Sequence, residues 1–251
     1  MQTMSSPKIT QAVILAAGLG TRLRPLTDTC PKPMLPINGV PLLERLVTLL
    51  KGQGITDFIF NLHYLPEKVK DHFGDGSRFG VSVRYSDETT GEPSETAGAL
   101  KKMESLLNDD FLFMYGDELH AFDFRPLADF HMAHKALATV VLKRSDLPQN
   151  GEIGEIDPVT RRVAVWHTRP HTVMEYGEGQ YVNGGLYALS KKIVDYIPAD
   201  RPVKLDGEVL PAAMRVGGSV FGWVTDENIL DIGTVEKYRY AEEWHKKRGE
   251  V

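Results

Sequence analysis

Residues 11–36 read QAVILAAGLGTRLRPLTDTCPKPMLP. Ala12 to Ala17 is apolar, is β-branched at Val13 and Ile14, and runs straight into Gly18-Leu19-Gly20. This pattern predicts a buried strand feeding a glycine turn. Backbone N–H groups exposed at such a turn suit phosphate oxygens, because nothing on the glycines keeps a ligand away. Arg22, Arg24 and Lys32 then add three fixed positive charges. Together these features point to a polyphosphate.

Two familiar phosphate loops fit poorly. A Walker loop closes on Gly-Lys-Ser/Thr, whereas Gly20 is followed by Thr21-Arg22; a dinucleotide fingerprint needs a third small residue where Leu23 stands. Pro25, Pro31, Pro33 and Pro36 predict that no helix follows the turn directly and that Lys32 rides on an extended arm.

Outward from this stretch, 251 residues with 42% hydrophobic content suit one large α/β domain, or a domain with a small appendage. A net charge of -5 leaves no general basic surface for nucleic acid, so the relevant positive charges are local and a nucleotide is the expected partner. Cys30 is the sole cysteine, which excludes an internal disulfide framework and a thiolate zinc cluster and fits a cytoplasmic setting. Residues 1–10 carry one lysine and no long apolar segment, and no stretch approaches the roughly eighteen apolar residues of a membrane span. Neither secretion nor membrane association is expected.

Residues 41–50 have helical apolar spacing and residues 55–62 read as a strand, so the order is strand, turn, helix, strand. That order begins a parallel sheet, and the expected class is α/β with a Rossmann-like, mostly parallel central sheet and helices on both faces. Further strands are expected at residues 81–85, 110–115, 138–142, 181–189 and 219–225, and helices at 66–73, 124–135, 191–197, 208–215 and after Thr234. Residues 149–166 read as a β-hairpin around Asp157-Pro158-Val159-Thr160. His131 and His134 share a helix face without companion ligands and read as ordinary helix histidines.

Leu15-Ala16-Ala17-Gly18-x-Gly20-Thr21-Arg22-Leu23-x-Pro25-Leu26-Thr27, followed by Pro31-Lys32-Pro33-Met34-x-Pro36, resembles the signature of the sugar-1-phosphate nucleotidylyltransferases. The resemblance implies the nucleotide-diphospho-sugar transferase fold with a small β-rich sugar-binding insertion. It implies a single domain over residues 1–251, with about 8–145 binding nucleotide and about 146–251 binding sugar phosphate. Leu15, Ala16, Ala17, Gly18, Gly20, Thr21 and Arg22 would wrap a nucleoside triphosphate, Arg22 holding its β- and γ-phosphates and Lys32 bridging the reacting phosphates. Asp117, after the strand at 110–115, and Asp231, in Asp231-Ile232-Gly233-Thr234, match the two carboxylates that bind Mg²⁺.

The resemblance also assigns base reading to residues 87–100, DETTGEPSETAGAL, through Thr90, Glu95, Thr96 and Gly98. The family usually reads Pro-Leu-Gly-Thr-Ala-Gly-Ala-Leu there, and Ser94-Glu95 replaces Leu-Gly. Glu95-Thr96 and residues 74–80 are similar to the N-acetylmuramate-1-phosphate uridylyltransferase branch; the mannose- and heptose-1-phosphate guanylyltransferase branches are also similar. A second reading of Ser94 to Thr96 is a helix cap, a side-chain oxygen taking free N–H groups. Gly154, Asn183 and Gly184 would face the sugar phosphate. Thr168-Arg169-Pro170 replaces the family's Glu-Lys-Pro, so Arg169 keeps a phosphate-binding charge while Thr168 lacks the carboxylate.

The implied reaction joins a nucleoside triphosphate to a sugar 1-phosphate, releasing pyrophosphate, within nucleotide-sugar biosynthesis for cell-envelope polysaccharide. Two alternatives stay open: a non-hexose phosphate acceptor, and a catalytically silent nucleotide-binding regulatory subunit. Nucleobase, sugar and oligomeric state are open, a homo-oligomer included. Hexapeptide repeats are missing, so one activity is expected.

Overall fold

This computed structural model describes residues 8–89, 94–145, 147–173 and 175–248. In chain order the elements are β1 (Gln11–Ala16), β2 (Pro36–Ile37), β3 (Val40–Pro41), α1 (Leu42–Gly52), β4 (Asp57–Leu62), α2 (Pro66–Phe73), β5 (Ser82–Asp87), α3 (Glu95–Lys102), β6 (Asp110–Tyr115) and β7 (Glu118–His120). They continue with α4 (Phe124–His134), β8 (Ala138–Lys143), β9 (Ile153–Ile156), β10 (Val163–His167), β11 (Gln180–Ser190), α5 (Leu210–Arg215), β12 (Val220–Val224), β13 (Ile229–Asp231) and α6 (Val235–Lys247). The class is α/β with a mixed, mostly parallel sheet, as the alternation of apolar strands and amphipathic helices requires. The chain divides into two compact units, residues 12–93, 114–123 and 227–251 in one, and residues 1–11, 94–113 and 124–226 in the other.

In the unit that holds the glycine turn, β1, β4 and β5 are neighbours in that order, and β4 runs parallel to β5 from Asp57↔Ser82 to Leu62↔Asp87. Leu42, Leu43, Leu46, Val47 and Leu50 form the buried stripe of α1, the helical spacing visible in the sequence. A second cluster packs Leu23, Leu35, Ile37 and Leu42 against Leu119, Ile232 and Ala241. It joins the segment after the glycine turn, the strand after Asp117, the segment after Asp231 and α6 into one apolar body. That packing fixes the backbone under the charged residues described below.

In the other unit β11 is the long central strand, antiparallel to β8 and β9, with β12 parallel to β8 and β10 antiparallel to β9. Phe113 packs on Tyr187, ring centroids 5.8 Å apart. His131 is buried, its Nδ1 paired with Thr139 Oγ1 at 2.9 Å and its Nε2 with Asp110 Oδ1 at 3.2 Å, which is the structural role expected of it. Two of the expected helices come out differently. Residues 191–196 form a 3-10 helix and Leu205–Val209 a π-turn, so α5 begins only at Leu210. Short connectors of this kind tighten or widen their hydrogen bonding where too few residues are present to propagate an α-helix. No described helix is long and apolar enough to cross a membrane.

Candidate active site

Gly20 closes the turn in the left-handed region, φ 63° and ψ 25°, and Thr27 Oγ1 donates to its carbonyl at 2.8 Å. A Cβ at Gly20 would approach Thr27 Cγ2 to 2.9 Å and Lys32 Cβ to 3.3 Å. Glycine is therefore required both for conformation and for space. The prolines do exclude an α-helix, but Lys32 is not on an extended arm. It opens a 3-10 turn, Lys32–Met34, entered from Pro31 in extended geometry and closed by Leu35 N–H donating to Lys32 O at 3.1 Å. Pro33 suits the start of such a turn, where its missing N–H is not needed.

The turn buries the Lys32 side chain to 8% exposure and aims its ammonium at two carboxylates. Nζ donates to Asp117 Oδ2 at 2.5 Å and to Asp231 Oδ1 at 3.3 Å. Asp117 lies between β6 and β7, and Asp231 ends β13. These two short strands pair antiparallel, Asp231 opposite Glu118, and Ile232 N–H donates to Asp117 O at 3.3 Å. Backbone pairing thus brings together two acids distant in sequence, and Lys32 neutralises them. Lys237 Nζ adds a donor to Asp231 Oδ2 at 2.8 Å. Partial burial pushes the Asp231 carboxyl upward, but the hydrogen bond from Lys237 and the charges of Lys32 and Lys237 outweigh it and hold the group below its ordinary 3.8. Arg22 is exposed beside this pair: a Cβ at Gly233 would lie 3.1 Å from Arg22 Nη2 and 2.9 Å from each Asp231 oxygen.

Thr234 caps α6, its Oγ1 accepting from Lys237 N–H at 3.3 Å, the cap read from the sequence. Lys237 itself was not among the expected site residues. Its only sequence signal is its place at the end of the capped first turn, which points it back towards Asp231.

At the start of α3 the expected side-chain cap is absent. Ala97 and Gly98 N–H groups donate to Val203 O at 2.9 and 3.2 Å, and Thr96 Oγ1 accepts from Leu205 N–H at 2.8 Å. A neighbouring backbone segment takes the donors that a serine or threonine oxygen was expected to satisfy. Glu95 has φ 60°, the left-handed region, where a glycine would fit without strain. Glu95→Gly should raise stability by about 1 kcal/mol; an unchanged or lower urea midpoint would contradict this. Thr90 lies outside the described residues.

The remaining expected residues fall around β9, β10 and β11. Gly154 stands opposite Trp166 across the β9–β10 pair. The register of β11 against β8 shifts between Asn183 and Tyr187, so Gly184-Gly185 forms a bulge, with Gly185 at φ 74° and its N–H donating to Asn183 Oδ1 at 3.0 Å. Arg169 is gripped by Glu152, Nε to Oε1 at 3.0 Å and Nη2 to Oε2 at 3.3 Å, while Nη1 donates to Asn150 O at 3.0 Å. Glu152 is 7% exposed, and buried Asp206 lies beside it. Neither acid was singled out from sequence: Glu152 falls in the expected hairpin and Asp206 just before the expected helix at 208–215, and neither carries a spacing signal. Thr168 lines a separate pocket of about 310 Å³ with Tyr196, Arg201, Glu208 and Arg215.

Burial, and then the Glu152 charge, push Asp206 up from 3.8 to about 6. Between about pH 4 and 6 the folded chain therefore holds a proton that the unfolded chain releases, so this group's contribution to stability is full below the window and is lost as pH rises through it. Asp206→Asn should flatten that part of the stability–pH curve; urea midpoints that fall by the same amount across the window in both proteins would contradict the assignment.

Among the described residues no group of three or more His, Cys, Asp or Glu side chains converges on a metal position. The donor set that fits a hard divalent cation is the pair Asp117 and Asp231, oxygen ligands with side chains 34% and 39% exposed. Phosphate oxygens and water would have to complete it.

The α/β scaffold thus carries a glycine turn, the cations Arg22 and Lys32, and two convergent carboxylates, Asp117 and Asp231. The model of the family described as Nucleotidyl transferase matches residues 11–247, and the chain belongs to that family. It is 31% identical over 250 residues to a UTP–glucose-1-phosphate uridylyltransferase of Synechocystis, covering 95% of this chain and 63% of that protein. It is 34% identical over 229 residues to a mannose-1-phosphate guanylyltransferase of Mycobacterium tuberculosis, covering 90% and 62%. The chain thus spans about three-fifths of the length of these curated relatives. Among solved structures, HddC from Yersinia pseudotuberculosis is 28% identical with a TM-score of 0.75, covering 94% of this chain and 99% of that one, and has also been solved complexed with GMP-PN.

Proposed function

We propose that this chain transfers a nucleotidyl group from a nucleoside triphosphate to a sugar 1-phosphate, giving a nucleoside diphosphate sugar and pyrophosphate. The observation that carries the reading is Lys32 held by Asp117 and Asp231 next to Arg22, in a chain whose relatives are named for such transfers. The acceptor phosphate is ionised near neutral pH, so its oxygen attacks the α-phosphorus without an enzymic base. A new P–O bond forms, the bond to the bridging oxygen breaks, and pyrophosphate leaves with the electron pair.

The protein's work is positioning and charge neutralisation. The turn around Gly18 and Gly20, with Leu15, Ala16, Ala17 and Thr21, receives the triphosphate, and Arg22 stabilises the departing pyrophosphate. Lys32 places its charge on the reacting phosphates, and Arg169 grips the phosphate of the acceptor, with Gly154, Thr168, Asn183 and Gly184 towards its sugar. Residues about 8–145 serve the nucleotide and about 146–251 the sugar phosphate, with Glu95, Thr96 and Gly98 on the base. Mg²⁺ fits the oxygen-only pair Asp117 and Asp231, and when bound it supplies further neutralisation of phosphate charge. The setting we propose is cytoplasmic nucleotide-sugar biosynthesis serving cell-envelope polysaccharide.

The lack of a carboxylate at Thr168 favours one second reading, a phosphate acceptor other than a hexose. The test is pyrophosphate release with Mg²⁺ across the common nucleoside triphosphates crossed with hexose, N-acetylhexosamine, N-acetylmuramate and heptose 1-phosphates. Turnover with one such pair is the expected result. Nucleotide binding without turnover anywhere in the panel would contradict the first reading and favour the second.

A further inference from the structure

The segment that follows β11, the π-turn Leu205–Val209 and α5 line a pocket of about 310 Å³, and of that lining only Thr168 enters the proposed transfer. Two arginines set its charge. Arg201 Nη1 pairs with Glu208 Oε2 at 2.7 Å, and Glu208 Oε1 also accepts from Lys204 N–H at 3.2 Å, so the one acid in the lining is already matched. Arg215, exposed at the end of α5, makes no ion pair among the described residues, and the Tyr196 hydroxyl has no hydrogen-bond partner among them. The pocket thus keeps a surplus positive charge and a free hydroxyl beside the apolar surfaces of Pro198, Val209 and Pro211. A guanidinium presents a planar set of donors that matches the oxygens of a carboxylate or a phosphate. Pockets of this size take small organic molecules that carry an apolar body and a few polar groups.

One wall of the pocket is tied to α3. Val203 lines the pocket and is buried; its carbonyl accepts from Ala97 and Gly98 N–H at 2.9 and 3.2 Å, and its own N–H donates to Ser94 O at 3.1 Å. Two residues on, Leu205 N–H donates to Thr96 Oγ1 at 2.8 Å. These bonds join the wall to the first turn of α3 inside one compact unit. Gly207, Glu208 and Val209 of the lining belong to the π-turn, a departure from α-helical hydrogen bonding that recurs at functional sites.

We propose that this pocket is an effector site for a small organic oxyanion, a carboxylate or a phosphate ester held by Arg215 and Arg201, and that its occupant steadies the start of α3 through Val203 and Leu205. The site goes beyond the proposed transfer and does not depend on it, although the segment it steadies is the one assigned there to the nucleobase.

Calorimetric titration of the intact chain with citrate and with D-glucose 6-phosphate separates the two sources of the oxyanion, and neither probe carries the anomeric phosphate of an acceptor. At least one should bind. Arg215→Gln and Arg201→Gln should each weaken that binding by about tenfold, the loss expected for a hydrogen bond between charged groups. Both positions are exposed, so the variants should melt as the wild type does. Arg169→Gln should leave the affinity unchanged. With the probe at about ten times its Kd, amide exchange at Ala97 and Gly98 should slow by roughly tenfold, because opening that turn frees the wall that the ligand needs. Failure of both probes to bind, an affinity that Arg215→Gln does not alter, or an equal loss in Arg169→Gln, which would put the probe on the acceptor's phosphate grip, would overturn the site. Binding with unchanged exchange at Ala97 and Gly98 would overturn its coupling to α3. Pyrophosphate release enters none of these readouts, so a chain silent in nucleotidyl transfer can still carry the site, and an active one can lack it.

Discussion

Lys32→Ala should lower the rate of pyrophosphate release by about a hundredfold or more, the usual cost of removing one preorganised electrostatic contact. Lys32 is 8% exposed and bonded to both Asp117 and Asp231, so its charge acts in a site where water screens little. The variant also leaves the two carboxylates without their shared cation, Lys237 remaining bonded to Asp231. Some stability should go with the activity, by about 1 kcal/mol, because two partly exposed carboxylates lose their shared cation. Circular dichroism and a urea midpoint establish that the variant is folded; folded protein with full turnover would remove Lys32 from the mechanism. Asp117→Ala should behave similarly in turnover.

Gly20→Val should damage both folding and catalysis. The position needs φ 63°, which a β-branched residue scarcely adopts, and the new Cβ would press on Thr27 at 2.9 Å and on Lys32 Cβ at 3.3 Å. The expected cost is about 2–3 kcal/mol of stability. Because the clash points at the residue that faces the carboxylates, turnover should fall by roughly tenfold to a hundredfold beyond any loss of folded protein. Gly20→Ala should show a smaller effect in the same direction. Kinetics at matched folded fraction separate the two contributions, and a Val variant with wild-type midpoint and rate would contradict the account of the turn.

Much of the fold was legible because local signals agreed with one another. The apolar run of β1, the stripe of α1 and the turn at Asp157 each announce their element by period or by turn residues, and each forms near the expected place. The burial of Lys32 was not legible, since it depends on a 3-10 turn between prolines that read equally well as an extended arm. Nor was the cap of α3, where the satisfying group is a carbonyl at Val203, far along the chain. Side-chain capping is a local rule, and a distant backbone segment can always replace it.

The candidate site divides in the same way. Arg22 and Lys32 stood out as cations beside a glycine turn and among prolines, while Asp117 and Asp231 stood out through the family resemblance; the pairing of β7 with β13 brings the two acids together and Lys32 bonds to both. Glu152, Asp206 and Lys237 gave no such signal. Their importance comes from what they touch, Arg169, Asn183 and Asp231, and contact is set by the bulge in β11 and the path of the loop after Lys204 rather than by sequence spacing.

The most direct test of nucleotidyl transfer follows the label from a nucleoside triphosphate marked at its α-phosphate, incubated with Mg²⁺ and the sugar 1-phosphate that gives turnover. The α-label should appear in the nucleoside diphosphate sugar, with one pyrophosphate released per transfer and none of either when the sugar phosphate is left out. An α-label that stays in free nucleotide while orthophosphate accumulates would mean hydrolysis of the triphosphate, and would contradict the assignment of Lys32, Asp117 and Asp231 to nucleotidyl transfer.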